Sequence, residues 1–284
     1  MARGGYCGAM SQPAHAAGFP DTLLHAVLDG LAARPGMQVL GISGLQGSGK
    51  STLAAQLVAA ATAAGVSAAT VSLDDFYLGA AARRALAAAV HPLLGTRGPP
   101  GTHDLPLALQ VIDALRAGGT PALPRFDKLD DDRLPAARWP RPARPLDLLV
   151  FEGWCVGVPA EDAAALQRPL NALEAAEDPD GRWRRYCNAA LAGQYPALWA
   201  RLDRLVFLQP PGFEAVLDWR WQQEQALWAA RPGRRGMDRA ALQRFVQHYE
   251  RISRHALRTL PALADTVVEL DAARNVKALR HTRA

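Results

Sequence analysis

The sequence predicts an α/β fold in which helices cover both faces of a five-stranded, mainly parallel sheet. Five short runs rich in Val, Leu and Phe alternate along the chain with helical patterns. That content is typical of strands buried on both faces. The predicted strands are residues 38–43, 68–73, 146–151, 204–209 and 266–270. A chain of 284 residues with 49% hydrophobic content can bury the core of such a domain.

The chain is predicted to form one domain over residues 21–284, after a disordered leader at 1–20. Helical patterns are predicted at residues 21–33, 52–64, 105–116, 162–176, 182–202, 213–230 and 238–257. Residues 95–145, between the second and third strands, are dense in proline, glycine and charge. So long a segment inside a compact domain is usually functional. We therefore expect a substrate-binding insertion there, and a helical lid at about residues 212–240.

Composition narrows the class of protein. The net charge of +5 comes mostly from arginines interspersed with acids, whereas a nucleic-acid surface usually has a concentrated basic stripe. Cys7, Cys155 and Cys187 are isolated, which argues against disulfides or a zinc site and suits a reducing compartment. No apolar run reaches membrane-spanning length, and the first twenty residues lack the order of a signal peptide. We expect a cytoplasmic protein with neither nucleic acid nor membrane as partner.

A glycine-rich motif, GLQGSGKS, lies between the first strand and the first long helix. It has the form G-x-x-x-x-G-K-S/T of a phosphate-binding loop, in the strand–loop–helix context that this loop requires. Backbone N–H groups at the helix start can converge on phosphate oxygens, Lys50 adds a full charge, and Ser51 is placed to ligate Mg²⁺. The motif predicts a bound nucleoside triphosphate. The expected binding residues are Gly44, Gln46, Gly47, Ser48, Gly49, Lys50, Ser51 and Thr52.

Carboxylates follow two of the predicted strands. Asp74 and Asp75 come after the second strand, and Glu152 comes directly after the third. Ligands of parallel sheets bind beyond the carboxyl ends of the strands, so these groups should face the same crevice as the phosphate loop. Phosphoryl transfer needs a carboxylate to hold a cation and a base for the attacking oxygen. We assign Glu152 to the metal and Asp74 to the base, and expect Asp75 beside the acceptor.

Two classes of function remain open on these residues. A nucleotide-dependent switch or assembly ATPase needs a water-orienting residue and segments that respond to the γ-phosphate, and no such pattern is evident. A small-molecule kinase needs a polar acceptor pocket, and residues 95–133 offer many polar groups. The kinase is favoured. Four arginines, Arg231, Arg234, Arg235 and Arg239, are interpreted as a solvated turn or as part of a lid over the nucleotide.

Further motifs resemble the bacterial and plant-type D-glycerate 3-kinases, P-loop kinases related to uridine kinase, pantothenate kinase and phosphoribulokinase. The matching segments include SLDDFYL at 72–78, RGPPGTHD at 97–104, LPRFDK at 123–128, FEGWCVG at 151–157 and WRWQQE at 219–224. The resemblance implies transfer of the γ-phosphoryl group of ATP to the 3-hydroxyl of D-glycerate, with Mg²⁺. A uridine, pantothenate or sugar kinase is the alternative.

The resemblance also implies roles for single residues. Asp74 matches the catalytic base, Glu152 the residue that serves Mg²⁺, and Arg220 the start of a mobile lid helix that supplies arginine to the reaction. The acceptor-site positions are Tyr77, His103 and Asp104. No apolar periodicity surrounds His103, so we do not expect it in the core.

Glycerate is an anion that must bind close to the triphosphate, so its pocket needs cationic or donor groups beyond Lys50. The insertion supplies Arg97, His103, Lys128 and Arg133. A nucleoside would instead need stacking groups, for which Phe126 and Tyr77 are the only nearby candidates. The charges therefore favour an anionic acceptor.

Overall fold

The computed structural model describes residues 18–31, 36–230 and 236–282. In chain order its elements are α1 (Asp21–Asp29), β1 (Gln38–Gly44), α2 (Lys50–Ala63), β2 (Ala68–Ser72), α3 (Ala80–Ala89), α4 (Leu105–Arg116), β3 (Phe126–Asp127), β4 (Asp132–Arg133), β5 (Leu148–Gly153), α5 (Ala172–Glu177), α6 (Arg182–Gly193), α7 (Tyr195–Trp199), β6 (Arg204–Gln209), α8 (Ala215–Ala230), α9 (Arg239–Leu263), β7 (Thr266–Leu270) and β8 (Val276–His281).

The main sheet has the strand order β2-β5-β1-β6-β7-β8. The five predicted strands are all present as its parallel part, so the predicted α/β class is confirmed. The predicted number of strands is wrong, because β8 adds a sixth, antiparallel strand beside β7. Its sequence, VKALRH, mixes three apolar with three basic residues, and no residue in it is fully buried, as suits an edge strand, so it lacks the continuous apolar run that marked the others.

Apolar side chains cover both faces of the sheet. Along β5, Leu149 and Phe151 belong to the core on one face, whereas Leu148 and Val150 belong to the core on the other. The first core includes α4, α7 and α9, and the second includes α1 and α2. The alternation follows from the two-residue period of a strand. Both faces are therefore dry, which leaves the strand ends as the places where polar chemistry is concentrated.

Three aspartates accept hydrogen bonds from backbone N–H groups at the amino-terminal edge of the sheet. Asp147 accepts a hydrogen bond from Ser67 N at 2.8 Å, and Asp203 accepts from Val39 N at 2.7 Å. Asp265 accepts from Leu205 N at 2.7 Å. Each aspartate lies just before one strand and bonds a backbone N–H at the entry to a neighbouring strand. These bonds satisfy donors that would otherwise lie unpaired at the edge.

The opposite, carboxyl-terminal edge gathers the chemistry. The register pairs Ser72 of β2 with Glu152 of β5, and Glu152 with Ile42 of β1. The glycine-rich loop leaves the sheet directly after β1. The segment between β2 and β5 forms α4 and the hairpin β3–β4, within the predicted insertion at 95–145.

Several predicted helices differ in extent. The pattern at 162–176 forms a 3₁₀ turn at Ala163–Leu166 and a short α5, with Pro169 between them. The pattern at 182–202 breaks at Gln194 into α6 and α7. Helix α3 was not predicted, because its sequence AAARRALAAA consists mostly of alanine and the residue that it buries is an arginine, Arg83. No helix in the described ranges has the length and hydrophobicity needed to cross a membrane.

The amino-terminal prediction falls partly outside the structure. Residues 1–17 of the expected leader, including Cys7, and residues 32–33 of the first predicted helix lie outside the described residues. Residues 18–20 do not follow the prediction of disorder. Phe19 N donates to Gln56 Oε1 at 2.9 Å, and Gln56 Nε2 donates to Phe19 O at 3.0 Å. These two bonds attach the segment to α2.

A buried ion pair joins α9 to α5 and allows a test of the fold. Arg251 donates to both carboxylate oxygens of Glu174, at 2.7 and 2.6 Å, and Glu174 is fully buried. Arg251→Met leaves this carboxylate without its main partner, so we expect a loss of about 3–5 kcal/mol in urea unfolding. Arg244 on the same helix pairs with Glu177 at the surface. Arg244→Met should cost about 0–1 kcal/mol, and equal losses in the two variants would contradict this assignment.

Candidate active site

The phosphate loop takes a backbone conformation that depends on two glycines. Gly47 and Gly49 have φ of +81° and +94°, in the left-handed region that other residues resist. Gly49 is the N-cap of α2. A Cβ at Gly47 would lie 2.6 Å from Cβ of Trp219, so the α8 helix packs directly against this loop. Gly44 ends β1 at the start of the loop.

Polar atoms of the loop fit an anionic ligand. Both amide atoms of Gln46 and the hydroxyl oxygen of Ser48 are buried, and none has a hydrogen-bond partner among the described residues. Buried polar groups in folded proteins are nearly always paired, so unpaired ones call for an explanation. The loop also lies at the amino terminus of α2, where anions are favoured, with Thr52 in the first turn. These residues fit the phosphate groups of a nucleotide.

Lys50 is the cation of the loop. Its ammonium group donates to Leu45 O at 3.1 Å. Burial lowers the pKa of Lys50, while the charges of Glu152 and Asp74 act to raise it. Lys50 therefore lies near Glu152 and Asp74, the two carboxylates that we predicted to converge on the loop from their positions after strands.

Ser51 and Glu152 meet in the structure. Ser51 Oγ donates to Glu152 Oε1 at 2.9 Å, which joins the start of α2 to the end of β5. A hydroxyl and a carboxylate are the hard oxygen ligands that suit Mg²⁺, which usually keeps several waters and binds substrate phosphates as well. No group of three or more His, Cys, Asp or Glu side chains in the described residues could hold a metal alone. The pair fits a metal bound jointly by protein and nucleotide.

Asp74 lies after β2 and is held by two partners. Tyr77 Oη donates to Asp74 Oδ1 at 2.8 Å, and Lys128 Nζ lies 2.7 Å from Oδ2. Burial acts to raise the pKa of Asp74, but the charge of Lys128 and these hydrogen bonds outweigh it and hold the pKa well below its ordinary value. The charge of Asp74 in turn raises the pKa of Lys128. Asp74 is therefore an ionised carboxylate at neutral pH.

Asp75 has a different environment from its neighbour. Its carboxylate accepts from Ser72 N at 3.1 Å and from Phe126 N at 3.3 Å, and Arg125 lies 3.3 Å away. The first of these bonds belongs to a capping box that begins the 3₁₀ turn Leu73–Phe76. Burial raises the pKa of Asp75. These contacts attach the hairpin to the turn that carries Asp74, and the acceptor contact of Asp75 stays a prediction.

The cationic residues of the insertion pair with acids in the free protein. Arg133 lies 3.1 Å from Asp104 and donates to Tyr77 O at 2.9 Å. Arg97 forms an ion pair with Asp131, and its guanidinium lies over the ring of Phe126, 5.8 Å from the centroid. Asp104 also caps α4 by accepting from Leu107 N. These predicted acceptor-site residues therefore lie together, joined by ion pairs.

His103 is buried, contrary to expectation. Its side chain is stacked on Tyr77 with 4.6 Å between ring centroids, and the two residues form a short antiparallel bridge. Burial lowers the pKa of His103 to about 4, although the charge of Asp74 acts in the opposite direction. The loop around His103 has no apolar periodicity because its burial comes from residues distant in sequence.

Arg220 lies on α8, in the predicted lid. It donates to Gln223 Oε1 at 2.7 Å and to Glu224 Oε1 at 3.0 Å. Its charge acts on Lys128 and on Tyr249, so it lies near the acceptor side of the site. Of the four arginines interpreted as a turn or lid, Arg231, Arg234 and Arg235 lie outside the described residues, and Arg239 pairs with Asp218.

Sequence reasoning missed two residues that shape this side of the site. Tyr249 on α9 donates to Arg97 O at 3.0 Å. Arg83 on α3 is buried and donates to Leu78 O and to Asp131, at 2.5 and 2.6 Å. Both residues reach the site because of how α3 and α9 pack, which the sequence alone does not show. Arginine is mostly exposed in folded proteins, so the residue type gave no signal of the burial of Arg83.

The chain is similar to known kinases in sequence and in structure. No family model matches the chain. A kinase of Schizosaccharomyces pombe, described as the uncharacterized kinase mug58, is 35% identical over 227 residues, which cover 74% of the chain and 78% of that protein. The chloroplastic D-glycerate 3-kinase of Arabidopsis thaliana is 32% identical over 228 residues. The match covers 74% of the chain but 46% of that enzyme, so the chain spans less than half of the plant protein.

Solved structures of kinases are also similar to this chain. The D-glycerate 3-kinase of Cryptococcus neoformans matches with a TM-score of 0.77 and 25% identity, over 92% of the chain and 98% of that protein. The chain belongs to the D-glycerate 3-kinase-like family of P-loop kinases. This kinase is therefore a phosphotransferase with an alcohol group as acceptor. The structure of the YGR205w protein, at TM-score 0.71 and 24% identity, supports the fold of the kinase alone.

The contact between Gly47 and Trp219 yields a test of the phosphate loop. Gly47→Ala forces a Cβ into Trp219 at a positive φ, so we expect nucleotide affinity measured by calorimetry to fall at least tenfold. Gly65 has a similar φ of +84°, but no atom lies within 4 Å of its added Cβ. Gly65→Ala should cost about 1–2 kcal/mol of stability and leave affinity unchanged. Unchanged affinity in Gly47→Ala would contradict the role of this loop.

Proposed function

We propose that this kinase transfers the γ-phosphoryl group of ATP to the 3-hydroxyl of D-glycerate, with Mg²⁺. The observation that carries the proposal is the ionised Asp74, placed between the phosphate-loop side of the site and the cationic insertion by Tyr77 and Lys128. The names of two relatives, both D-glycerate 3-kinases, support the choice of acceptor.

In this proposal Asp74 accepts the proton of the attacking hydroxyl. Tyr77 fixes one carboxylate oxygen and Lys128 the other, so the carboxylate is held in one orientation. A positioned base of this kind contributes about 10²- to 10⁴-fold to a rate. The low pKa of Asp74 keeps the carboxylate ionised at neutral pH, and the proton that it accepts passes to solvent before the next turnover.

The remaining residues balance negative charge. Lys50 neutralises the oxygens of the transferring group, and Arg220 is near enough to join it when its bonds to Gln223 and Glu224 exchange for bonds to phosphate. Ser51 and Glu152 are the residues that would hold Mg²⁺, which when bound offsets charge on the β- and γ-phosphates. Positioning and electrostatics supply most of the catalysis in such reactions.

The acceptor anion binds on the insertion side. A carboxylate there can share Lys128 with Asp74, and Arg97 and Arg133 add positive charge nearby. Each of these cations also lies beside an acid, so the acceptor carboxylate binds by exchanging partners with those acids. A neutral nucleoside offers no carboxylate for such an exchange.

An acceptor panel tests the proposal. We expect ADP release with D-glycerate well above that with uridine, pantothenate or ribulose 5-phosphate, and 3-phosphoglycerate as the product. The measurement is coupled ADP release at saturating Mg·ATP, with product identified by mass spectrometry. Preferred turnover of a neutral nucleoside would show that the acceptor is a nucleoside and not D-glycerate. ADP release without dependence on any acceptor would favour an ATPase instead.

The two neighbouring aspartates form a matched pair. Asp74→Asn keeps the size of the side chain but removes the base, so kcat should fall by about 10² or more with ATP affinity little changed. Asp75→Asn should lower the melting temperature, because it weakens the capping box, and reduce kcat less. If Asp75→Asn loses more turnover than Asp74→Asn while remaining folded, the assignment of the base is wrong.

Lys128 allows a test by pH. Its charge lowers the pKa of Asp74, so Lys128→Met raises that pKa, and the base is protonated at a higher pH than in the wild type. The acid limb of kcat/KM should therefore move to higher pH, and the KM for D-glycerate should rise about tenfold with the loss of a charged hydrogen bond. Lys277→Met, on the exposed face of β8, is the control. An unmoved acid limb would contradict the coupling.

A further inference from the structure

Tyr195 is a buried tyrosine that none of the motifs marks. It begins α7 and is fully buried. Gly101 N donates to Tyr195 Oη at 3.1 Å, and Tyr195 Oη lies 2.6 Å from His103 Nδ1. Gly101 and His103 belong to the same loop of the insertion, 94 and 92 residues from Tyr195 in sequence. Tyr195 thus joins the acceptor-side loop to the helices behind it.

Counting hydrogens fixes the direction of the second bond. A phenol has one proton to donate. The N–H of Gly101 occupies Tyr195 as an acceptor, so the hydroxyl proton is free to go to another atom. Among the described residues the remaining partner is His103 Nδ1. A hydrogen on Nδ1 would leave the buried hydroxyl proton of Tyr195 without an acceptor among the described residues, so donation from Tyr195 to an unprotonated Nδ1 is the favoured direction.

Both residues are neutral near pH 7. Burial lowers the pKa of His103 to about 4, against the charge of Asp74. Burial raises the pKa of Tyr195 well above its ordinary value. A neutral imidazole has one N–H, and which nitrogen carries it is set by the bond that the other nitrogen makes. The proton of His103 is therefore on Nε2.

The Nε2–H group has no partner in the described residues, and it is buried. Its ring stacks on Tyr77, whose hydroxyl bonds the base Asp74. A buried donor without a partner costs free energy and calls for an explanation. An oxygen of a bound acceptor would supply the missing partner.

We propose that Tyr195 is a positioning residue that holds His103 as the Nε2–H tautomer, so that His103 donates to an oxygen of the acceptor and cannot accept from it. This rests on the proposed function and deepens it. The site then selects an acceptor that presents oxygen lone pairs to His103, as a carboxylate does, and disfavours one that presents an N–H donor.

The first experiment measures the tautomer in the free protein. Long-range ¹H–¹⁵N spectra of protein labelled at the histidine rings distinguish protonated from unprotonated ring nitrogens. The chain has seven histidines, and the signal of His103 is identified by its loss in His103→Gln. We expect an unprotonated Nδ1 and a protonated Nε2 from pH 6 to 8, with the Nε2 signal shifting when D-glycerate is added. A protonated Nδ1 in the wild type would overturn the proposal.

The second experiment is a double-mutant cycle on the KM for D-glycerate. His103→Phe keeps a ring that can stack on Tyr77 but removes the donor, and its KM should rise about 10- to 100-fold. Tyr195→Phe should raise KM severalfold, with kcat and the KM for ATP little changed. Because Tyr195 acts through His103, the double variant should be no worse than His103→Phe. Additive losses, or a wild-type KM in Tyr195→Phe, would refute the positioning role.

Controls separate this proposal from its neighbours. Tyr186 packs its ring against the same Gly101, and Tyr186→Phe should leave the KM unchanged. If the wild type shows no turnover with D-glycerate, the proposed function fails. The tautomer measurement still decides the role of Tyr195, and the cycle is then run with the acceptor that the panel identifies. If His103→Phe does not fold, the spectra of Tyr195→Phe provide the decision, since a merely structural tyrosine leaves the tautomer of His103 unchanged.

Discussion

The site is organised around a partly buried cation, Lys50. Burial is the largest effect on the pKa of Lys50 and disfavours its charge, while Glu152 and Asp74 act to restore it. A charge removed from water needs partners held in place. The strand order β2-β5-β1 provides them, because Asp74 follows β2, Glu152 ends β5 and Lys50 follows β1, on three adjacent strands. The topology of the sheet thus brings opposite charges to one edge without any long-range loop.

The same principle extends into the insertion. Arg83 and Arg97 share Asp131, Arg133 pairs with Asp104, and Lys128 pairs with Asp74. Each ion pair joins two separate segments of the chain. The pairs therefore hold together the segments that line the pocket, and they also determine its charge. An anionic ligand can therefore enter without first disturbing the apolar core, and its recognition depends on exchanging partners among groups already present.

Much of this was predictable from sequence, for physical reasons. The five parallel strands are short runs rich in Val, Leu and Phe, and the phosphate loop is local, so each could be identified without tertiary information. Convergence of the strand-end carboxylates followed from the topology of parallel sheets. What escaped prediction depends on contacts between distant segments. His103 is buried by Tyr77 and Tyr195, Arg83 is covered by the hairpin, and β8 is an edge strand that pairs with β7 and packs Val276 and Leu279 on the second core. Neither hydrophobic period nor turn chemistry encodes such contacts.

The aspartates at the amino-terminal edge have a consequence for protein engineering. Asp147, Asp203 and Asp265 each bond the backbone at the entry to a neighbouring strand, so the alignment of the strands is set at the edge that carries no ligand. Within the insertion at 95–145, Arg116 donates at 2.6 Å to the same oxygen of Asp203 that caps Val39 N, and α4 contributes buried residues to the first core. A segment exchanged from a relative with another acceptor would therefore need to keep an arginine at position 116 and the apolar face of α4 for the strands beneath it to keep their alignment.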